Sequence, residues 1–233
     1  MRSAACRLLL LGLLVLVGCS SALRFEDDPP GVHTVRRSET LYSIAFRNQL
    51  DWRELARWNG IGAPYTLAVG QKLRLTEPLA LAGGQPAPRG AGTKPPTKRP
   101  TVRAPSAPAP NLRWAWPSDG PLVARFRAGV ASAKGIDLGG KLGDAVRAAS
   151  EGRVVYVGSG LVGYGKVIIV KHDDRYLSAY AHNDSFLVKE GDAVTRGQQI
   201  ATLGLGPGQR AQLHFEIRLD GRAVDPLPLL PKR

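Results

Sequence analysis

A proline-rich segment, from about Glu77 to Asn111, divides this 233-residue chain. Proline, alanine, glycine and basic residues predominate there, and the most extreme stretch is Lys94-Pro95-Pro96-Thr97-Lys98-Arg99-Pro100. Such a sequence cannot bury a core, and its prolines and like charges favour an extended, partly disordered spacer. We assign this linker to residues 77–112. The chain is therefore expected to fold as two separate units, residues 32–76 and residues 113–233.

The N-terminal residues are typical of an export signal. Arg2 and Arg7 accompany an apolar run from Leu8 to Val17, which is about half the length that a bilayer-spanning helix needs. We interpret residues 1–18 as a signal peptide and residues 19–31 as a short tether. The formal net charge of +13 predicts attraction to polyanions. An exported chain would not meet nucleic acid, so we expect no nucleic-acid partner.

The apolar run ends in Leu16-Val17-Gly18-Cys19, which resembles the lipobox of bacterial lipoproteins. The resemblance implies that the Cys19 thiol receives a lipid and anchors the chain to a membrane. Ser20 follows, where Asp would favour retention at the inner membrane, and this implies the periplasmic face of the outer membrane. The alternative is an ordinary signal peptide with an incidental cysteine. Cys6 lies in the leader, so disulfides are excluded from the folded part.

The first unit has the pattern strand, helix, helix, strand. Ser38 or Thr40 can cap a first helix, and Asp51 with Glu54 three residues later predicts a capping box for a second. The closing segment from Gln71 to Leu75 alternates polar and apolar residues, as a half-buried strand does. The sequence therefore predicts a small βααβ domain.

This unit resembles a LysM domain in its Ser38-Glu39-Thr40-Leu41 loop, its Trp58-Asn59-Gly60 helix end and its Val69-Gly70-Gln71-Lys72-Leu73 segment. The resemblance implies binding to N-acetylglucosamine-containing glycans, in a shallow groove between two loops. The residues it assigns to glycan binding are Ser38, Glu39, Thr40, Leu41, Ile61, Pro64, Tyr65 and Leu67. Trp52 and Trp58 fit packing better than sugar contact, because an aromatic ring buries a large area.

The second unit is predicted to be an all-β domain. Short segments rich in β-branched residues, such as Arg153–Val157, Lys166–Val170, Tyr176–Tyr180 and Leu213–Ile217, are separated by glycine turns. The run from Gly160 to Gly165 superficially resembles a phosphate-binding loop, but no Lys-Ser/Thr pair or helix follows it. We interpret it as a hairpin connection. The whole chain is thus expected to be a multidomain α+β protein.

Residues from Trp116 to Leu230 resemble the LytM or lysostaphin-type zinc peptidase domain, a β-sheet fold that cuts peptidoglycan cross-links. Active members carry His-x-Gly-x-Asp, Tyr-x-His and His-x-His. In that family the first His, the Asp and the last His hold zinc, and the other two histidines assist catalysis. Such a site needs three protein ligands and an open fourth position for water.

This chain departs from the family pattern at two places. It reads Ala133-Lys134-Gly135-Ile136-Asp137 and Gln212-Leu213-His214, so Ala133 replaces the first zinc ligand and Gln212 replaces a catalytic histidine. A methyl group cannot coordinate a metal, and a carboxamide cannot accept a proton near neutral pH. Asp137 and His214 are remnant ligand positions, and two ligands do not make a zinc site.

The family positions therefore imply no metal, no cofactor and no hydrolysis. His172 follows a predicted strand and resembles a turn residue more than a replacement ligand. We expect His182 and His214 to persist as hydrogen-bonded groups in an empty groove. Residual weak metal binding is the alternative.

The order of lipobox, LysM domain and degenerate LytM domain resembles the NlpD family of murein hydrolase activators. The resemblance implies that the chain binds peptidoglycan and activates a periplasmic N-acetylmuramoyl-L-alanine amidase at the division septum. It places the amidase on a groove formed by Ala133, Asp137, Tyr180, His182, Gln212 and His214. Two other hypotheses remain, a residual zinc-dependent endopeptidase and a passive peptidoglycan-binding anchor, since a fold alone does not establish function.

Overall fold

The computed structural model describes residues 28–78 and 112–233. Within these two ranges no helix is long and apolar enough to cross a membrane. The expected signal peptide, Cys19 and nearly all of the linker lie outside the described residues.

The first domain has the predicted order of elements: β1 (Val32–Thr34), α1 (Leu41–Asn48), α2 (Trp52–Trp58) and β2 (Lys72–Arg74). Strands β1 and β2 pair antiparallel, with His33 opposite Leu73. The two helices cover this ribbon and bury Ile44, Leu55 and Leu73 completely. The predicted βααβ domain is confirmed.

The helix starts follow from their capping residues. Thr40, and not Ser38, caps α1: its hydroxyl accepts from the Ser43 backbone N–H, and the Ser43 hydroxyl accepts from the Thr40 backbone N–H. This reciprocal pair satisfies two N–H groups that a helix start leaves without partners. Asp51 caps α2 by accepting from Arg53, whereas Glu54 is exposed. The second cap therefore differs from the predicted capping box.

The second domain is built from strands. Their bounds are β3 (Leu122–Ala124), β4 (Ile136–Gly139), β5 (Ala145–Arg147), β6 (Gly152–Gly158), β7 (Val167–Lys171), β8 (Tyr176–Ala181), β9 (Asn183–Phe186), β10 (Ala193–Val194), β11 (Gln199–Leu203), β12 (Gln212–Leu219) and β13 (Arg222–Val224). In the described range 112–233 the one helical element is a 3₁₀ turn at Pro207–Gln209. The all-β prediction is confirmed, and the run from Gly160 to Gly165 connects β6 to β7.

Most strands form one large sheet in the order β10-β6-β7-β8-β12-β4-β3, with β13 also paired to β12. A smaller sheet, β5-β11-β9, packs on one face of it. Between them lies a core that contains Leu138, Tyr180, Leu213 and Phe215. Because side chains alternate along a strand, the residues between these point to the opposite face, which carries the groove described below.

Candidate functional site

Strand β12 supplies the centre of the groove. Its odd-numbered residues Leu213 and Phe215 are buried in the core, so Gln212, His214 and Glu216 project to the other face. His214 is paired in register with Asp137 of β4 on one side and with Ala181 of β8 on the other. The two remnant ligand positions are therefore neighbours, as the family pattern implies.

Asp137 and His214 are bonded to each other. Nδ1 of His214 lies 2.7 Å from Asp137 Oδ1, and Nε2 lies 3.1 Å from Glu216 Oε1. Burial alone would lower the pKa of His214, but the hydrogen bonds and charges of Asp137 and Glu216 outweigh it and raise the pKa to about 9. The two carboxylates therefore favour the protonated imidazole, which donates from both nitrogens.

Glu216 and Tyr164 belong to the site although the sequence patterns did not assign them to it. The Glu216 carboxylate is fully buried and accepts from the Tyr164 hydroxyl at 2.7 Å and from Arg218 Nε at 2.8 Å. Burial raises the pKa of Glu216, but bonds and charges from His214 and Arg218 reverse this and hold the pKa low. Burial and the nearby Glu216 raise the pKa of the Tyr164 phenol. Period-two alternation from His214 would have indicated Glu216 and Arg218.

His182 stands beside this ion cluster. It follows β8 with a positive φ of 63°, and its ring centroid lies 6.2 Å from that of His214. Burial and the positive charge of His214 lower the pKa of His182. Protonation is therefore favoured on His214 over His182.

The groove is an open cavity of about 330 Å³. Its walls come from the β3–β4 loop at Ser132 and Lys134, the β6–β7 connection at Val162 and Gly163, and Pro207. Several exposed apolar side chains lie around it or on the loops beside it, namely Val123, Val130, Val162 and Leu205. The groove therefore combines a charged and polar floor with apolar side chains at its border.

Two predicted groove residues do not line this cavity. Tyr180 is completely buried on the core side of the sheet, where its hydroxyl accepts from the Ala149 backbone N–H and from Ser178. The structure therefore does not bring Tyr180 to the groove, because it occupies the opposite phase of β8 from Ala181. Ala133 lies between the lining residues Ser132 and Lys134, and its carbonyl accepts from the backbone of Arg127.

The groove residues do not fit a zinc ion. Zinc needs a neutral imidazole nitrogen and at least three protein ligands. Of the three ligand positions in the family pattern, Asp137 and His214 are present, whereas the first is Ala133, which has no donor atom in its side chain. Across the described ranges, no group of three His, Cys, Asp or Glu side chains is arranged to hold a metal.

His172, which the sequence analysis weighed as a replacement zinc ligand, does not lie in the groove. Its Nε2 lies 2.7 Å from Ser178 Oγ and its Nδ1 lies 2.6 Å from the Glu151 carbonyl. Its ring packs edge-on against Trp114 at 4.9 Å. His172 is therefore a structural residue of the core side.

The residues predicted to bind glycan are in different environments. Ser38 and Pro64 are exposed, and Ile61, Tyr65 and Leu67 are half-buried. Leu41 is completely buried in the LysM core and is not available to a ligand. Glu39 and Thr40 are half-buried and bonded inside the protein: Glu39 pairs with His33 at 2.7 Å and Arg47 at 2.6 Å, and Thr40 caps α1.

Trp52, Tyr42 and Tyr65 of the first domain form a packed cluster. The Trp52 ring lies 5.0 Å from that of Tyr42 and 5.1 Å from that of Tyr65, and Trp52 is only 5% exposed. The packing interpretation is confirmed for Trp52. The open part of the predicted glycan surface is therefore the Ile61–Leu67 loop together with Ser38.

Comparison with known proteins agrees with this architecture. The model of "Peptidase family M23" matches residues 131–226 and that of the "LysM domain" matches residues 33–76. The chain is 44% identical to the "Lipoprotein NlpD/LppB homolog" of Pseudomonas aeruginosa, covering 91% of this chain and 81% of that protein. It is 36% identical to the "Murein hydrolase activator NlpD" of Escherichia coli, covering 86% and 68%. It is 38% identical to the "Outer membrane antigenic lipoprotein B" of Histophilus somni, covering 83% and 65%. The chain therefore belongs to the NlpD family of lipoproteins.

Proposed function

We propose that this chain is a non-enzymatic lipoprotein that binds peptidoglycan and activates a periplasmic N-acetylmuramoyl-L-alanine amidase for splitting septal peptidoglycan during cell division. The LysM domain supplies the attachment to the wall. The M23-type groove supplies the docking surface for the amidase.

The observation that carries this proposal is a groove that is kept without the residues that hydrolysis needs. His214 at its centre is hydrogen-bonded to Asp137 and Glu216, and the residue at the first ligand position is Ala133, which cannot bind a metal. Gln212, on the same strand and face as His214, cannot accept a proton near neutral pH. A preserved groove without hydrolytic chemistry is suited to binding a protein.

Two further features support the location at the wall. Two of these relatives are named as lipoproteins, and one of the two as an outer membrane antigenic lipoprotein, which agrees with the lipobox that ends at Cys19. We therefore propose lipidation at Cys19 and an anchor in the outer membrane that faces the periplasm. A position at the septum follows from the proposed role in cell division.

The alternatives are less well supported by the site. A zinc-dependent endopeptidase would require a third ligand and a base, and Ala133 and Gln212 provide neither. A passive anchor would need only the LysM domain. It would not need an open groove bordered by exposed apolar residues such as Val130 and Val162.

The test is reconstitution with purified components. A soluble chain beginning at Ser20 is added to dye-labelled sacculi with and without a purified periplasmic amidase. We expect no dye release by the chain alone and a stimulation of at least several-fold when both are present. Release by the chain alone would support the endopeptidase, and no effect on any amidase would support the passive anchor.

A further inference from the structure

The LysM domain packs on the same face of the large sheet that carries the groove. Strands β7 and β8 present Val167, Ile169, Leu177, Ala179 and Ala181 on this face, all nearly or completely buried. They form one apolar cluster with the LysM core, to which α1 and α2 contribute. The groove and the LysM domain are thus adjacent on one surface.

A backbone contact fixes this packing at the β12–β13 hairpin. Gly221 has a φ of +78°, and a Cβ built there would lie 2.3 Å from the backbone carbonyl of Leu50, between α1 and α2. Only a glycine allows the two backbones to come so close. Beside it, the Asp220 carboxylate accepts from Arg53 of the LysM domain at 2.8 Å and from Arg175 at 2.8 Å.

A line of contacts runs from the groove to the LysM domain along β12. Arg218 is two residues beyond Glu216 on the same face, and its Nε donates to that carboxylate. The Arg218 guanidinium lies 4.0 Å above the Phe46 ring of α1, and its Nη1 reaches the Phe46 carbonyl at 3.4 Å. The Phe46 ring in turn packs edge-on against Tyr164 at 5.5 Å.

Phe46 therefore contacts two of the three partners of Glu216. Tyr164 and Arg218 bond to Glu216, and Glu216 bonds to His214. If the LysM domain left the sheet, Arg218 would lose the ring and carbonyl beneath it. The apolar side chains of β7 and β8 would also enter water, which opposes separation.

We propose that the LysM domain is a fixed structural part of the groove, and that Phe46 and Arg218 are positioning residues that hold Tyr164, Glu216 and His214 in place. The LysM domain is then both a wall-binding domain and the support of the partner-docking surface. The effect on an amidase rests on the proposed function, whereas the positioning itself does not.

The experiment compares two glycine variants of the soluble chain beginning at Ser20. Gly221→Ala places a methyl group against Leu50 and should displace the LysM domain. Gly143→Ala is the matched control, since Gly143 also has a positive φ, +89°, in a turn of the second domain, but no atom lies within 4 Å of its added Cβ. Both substitutions strain the backbone of one turn, but only Gly221→Ala brings the added methyl group against the LysM domain.

Three measurements distinguish a displacement of the groove residues from a general loss of folding. Calorimetry should give one unfolding transition for the wild type and the control and two for Gly221→Ala. Amide NMR signals of His182 and His214 should shift in Gly221→Ala and not in the control. Stimulation of the amidase should fall at least about tenfold in Gly221→Ala only, while binding to sacculi is kept.

Phe46→Leu gives a second route, because leucine keeps an apolar side chain in the LysM core but removes the ring below Arg218. It should shift the same groove signals without abolishing binding to sacculi. Phe46→Tyr, which keeps the ring, should restore them. Unchanged groove signals in both Gly221→Ala and Phe46→Leu would overturn the proposal. If the signals shift but the wild type stimulates no amidase, the positioning stands and the proposed function falls.

Discussion

His214 and Asp137, the two remnant ligand positions, face each other across paired strands with Nδ1 and Oδ1 2.7 Å apart. In an active peptidase of this type both side chains would bind the metal. Here they neutralise each other, and Glu216 on the far side of the imidazole completes the arrangement. The cluster therefore joins the side chains of β4 and β12 at the two remnant ligand positions.

This cluster predicts a pH-dependent stability. The pKa of His214 rises from 6.5 to about 9 on folding. Its contribution to the free energy of unfolding is therefore fully present below pH 6.5 and is lost as the pH rises through about 9. We expect a loss on the order of 3 kcal/mol in the free energy of unfolding. Denaturant titrations of wild type and His214→Gln check this: the gap between them should narrow from pH 6.5 to 9. An equal gap at all pH values would contradict the charged state of His214.

The chain should contain no stoichiometric zinc, because Ala133 offers no ligand and Asp137 and His214 alone do not make a zinc site. The double variant Ala133→His with Gln212→His should gain zinc, since it restores the residues that the family pattern requires. The single variant Gln212→His is the control and should remain metal-free. Elemental analysis checks all three proteins. About one zinc per wild-type chain, together with hydrolysis of sacculi, would show that the protein is a zinc-dependent endopeptidase.

The groove should be sensitive to added bulk and charge. Gln212→Arg places a long cation in the cavity next to His214 and should reduce stimulation of the amidase at least about tenfold, without changing the melting temperature much. Leu187→Arg is the control, since Leu187 is 55% exposed and does not line the groove. The dye-release assay with amidase measures both. Equal losses in the two variants would show that docking occurs elsewhere.

Binding to sacculi should survive moderate salt in part, because contacts to sugars are screened less than charges. Ile61→Ser, in the open loop of the LysM domain, should remove the salt-resistant part. Replacing Lys94, Lys98 and Arg99 by alanine should instead reduce only the salt-sensitive part. Pull-downs at rising salt distinguish these outcomes. Complete release of the wild type at moderate ionic strength would mean that net charge alone is responsible.

Cys19→Ala should leave the full-length protein without its lipid and shift it from the membrane fraction to the soluble fraction. Fractionation and detergent extraction measure this. Cys6→Ala, a cysteine change within the expected leader, is the matched control and should stay with the membrane. Unchanged membrane association of Cys19→Ala would exclude the proposed anchor.

The sequence was sufficient for the order of elements in the first domain and for the all-β character of the second. The alternation of Leu213 and Phe215 with polar residues on β12 is visible in the sequence, but the face of Tyr180 on β8 was predicted wrongly. Capping residues predicted both helix starts, although the choice of Thr40 over Ser38 needed the backbone geometry.

The sequence could not show which side chains of the family pattern point away from the groove. Tyr180 belongs to a family pattern, but its hydroxyl is used by Ala149 and Ser178 in the core. The packing of the LysM domain was also beyond prediction, because it depends on contacts such as Thr40 with Val155 that are 115 residues apart. A long linker between two units carries no information about how they pack.

The alternation along β12 makes that strand intolerant of a change in length. Leu213, Phe215 and Ile217 fill one core, and His214, Glu216 and Arg218 connect the groove to the LysM domain. Removing one residue between them would exchange the two faces, with charges entering the apolar core and apolar groups entering the groove. The family histidine at position 212 can therefore be replaced by glutamine, whereas deletion of one residue from this strand would not be tolerated.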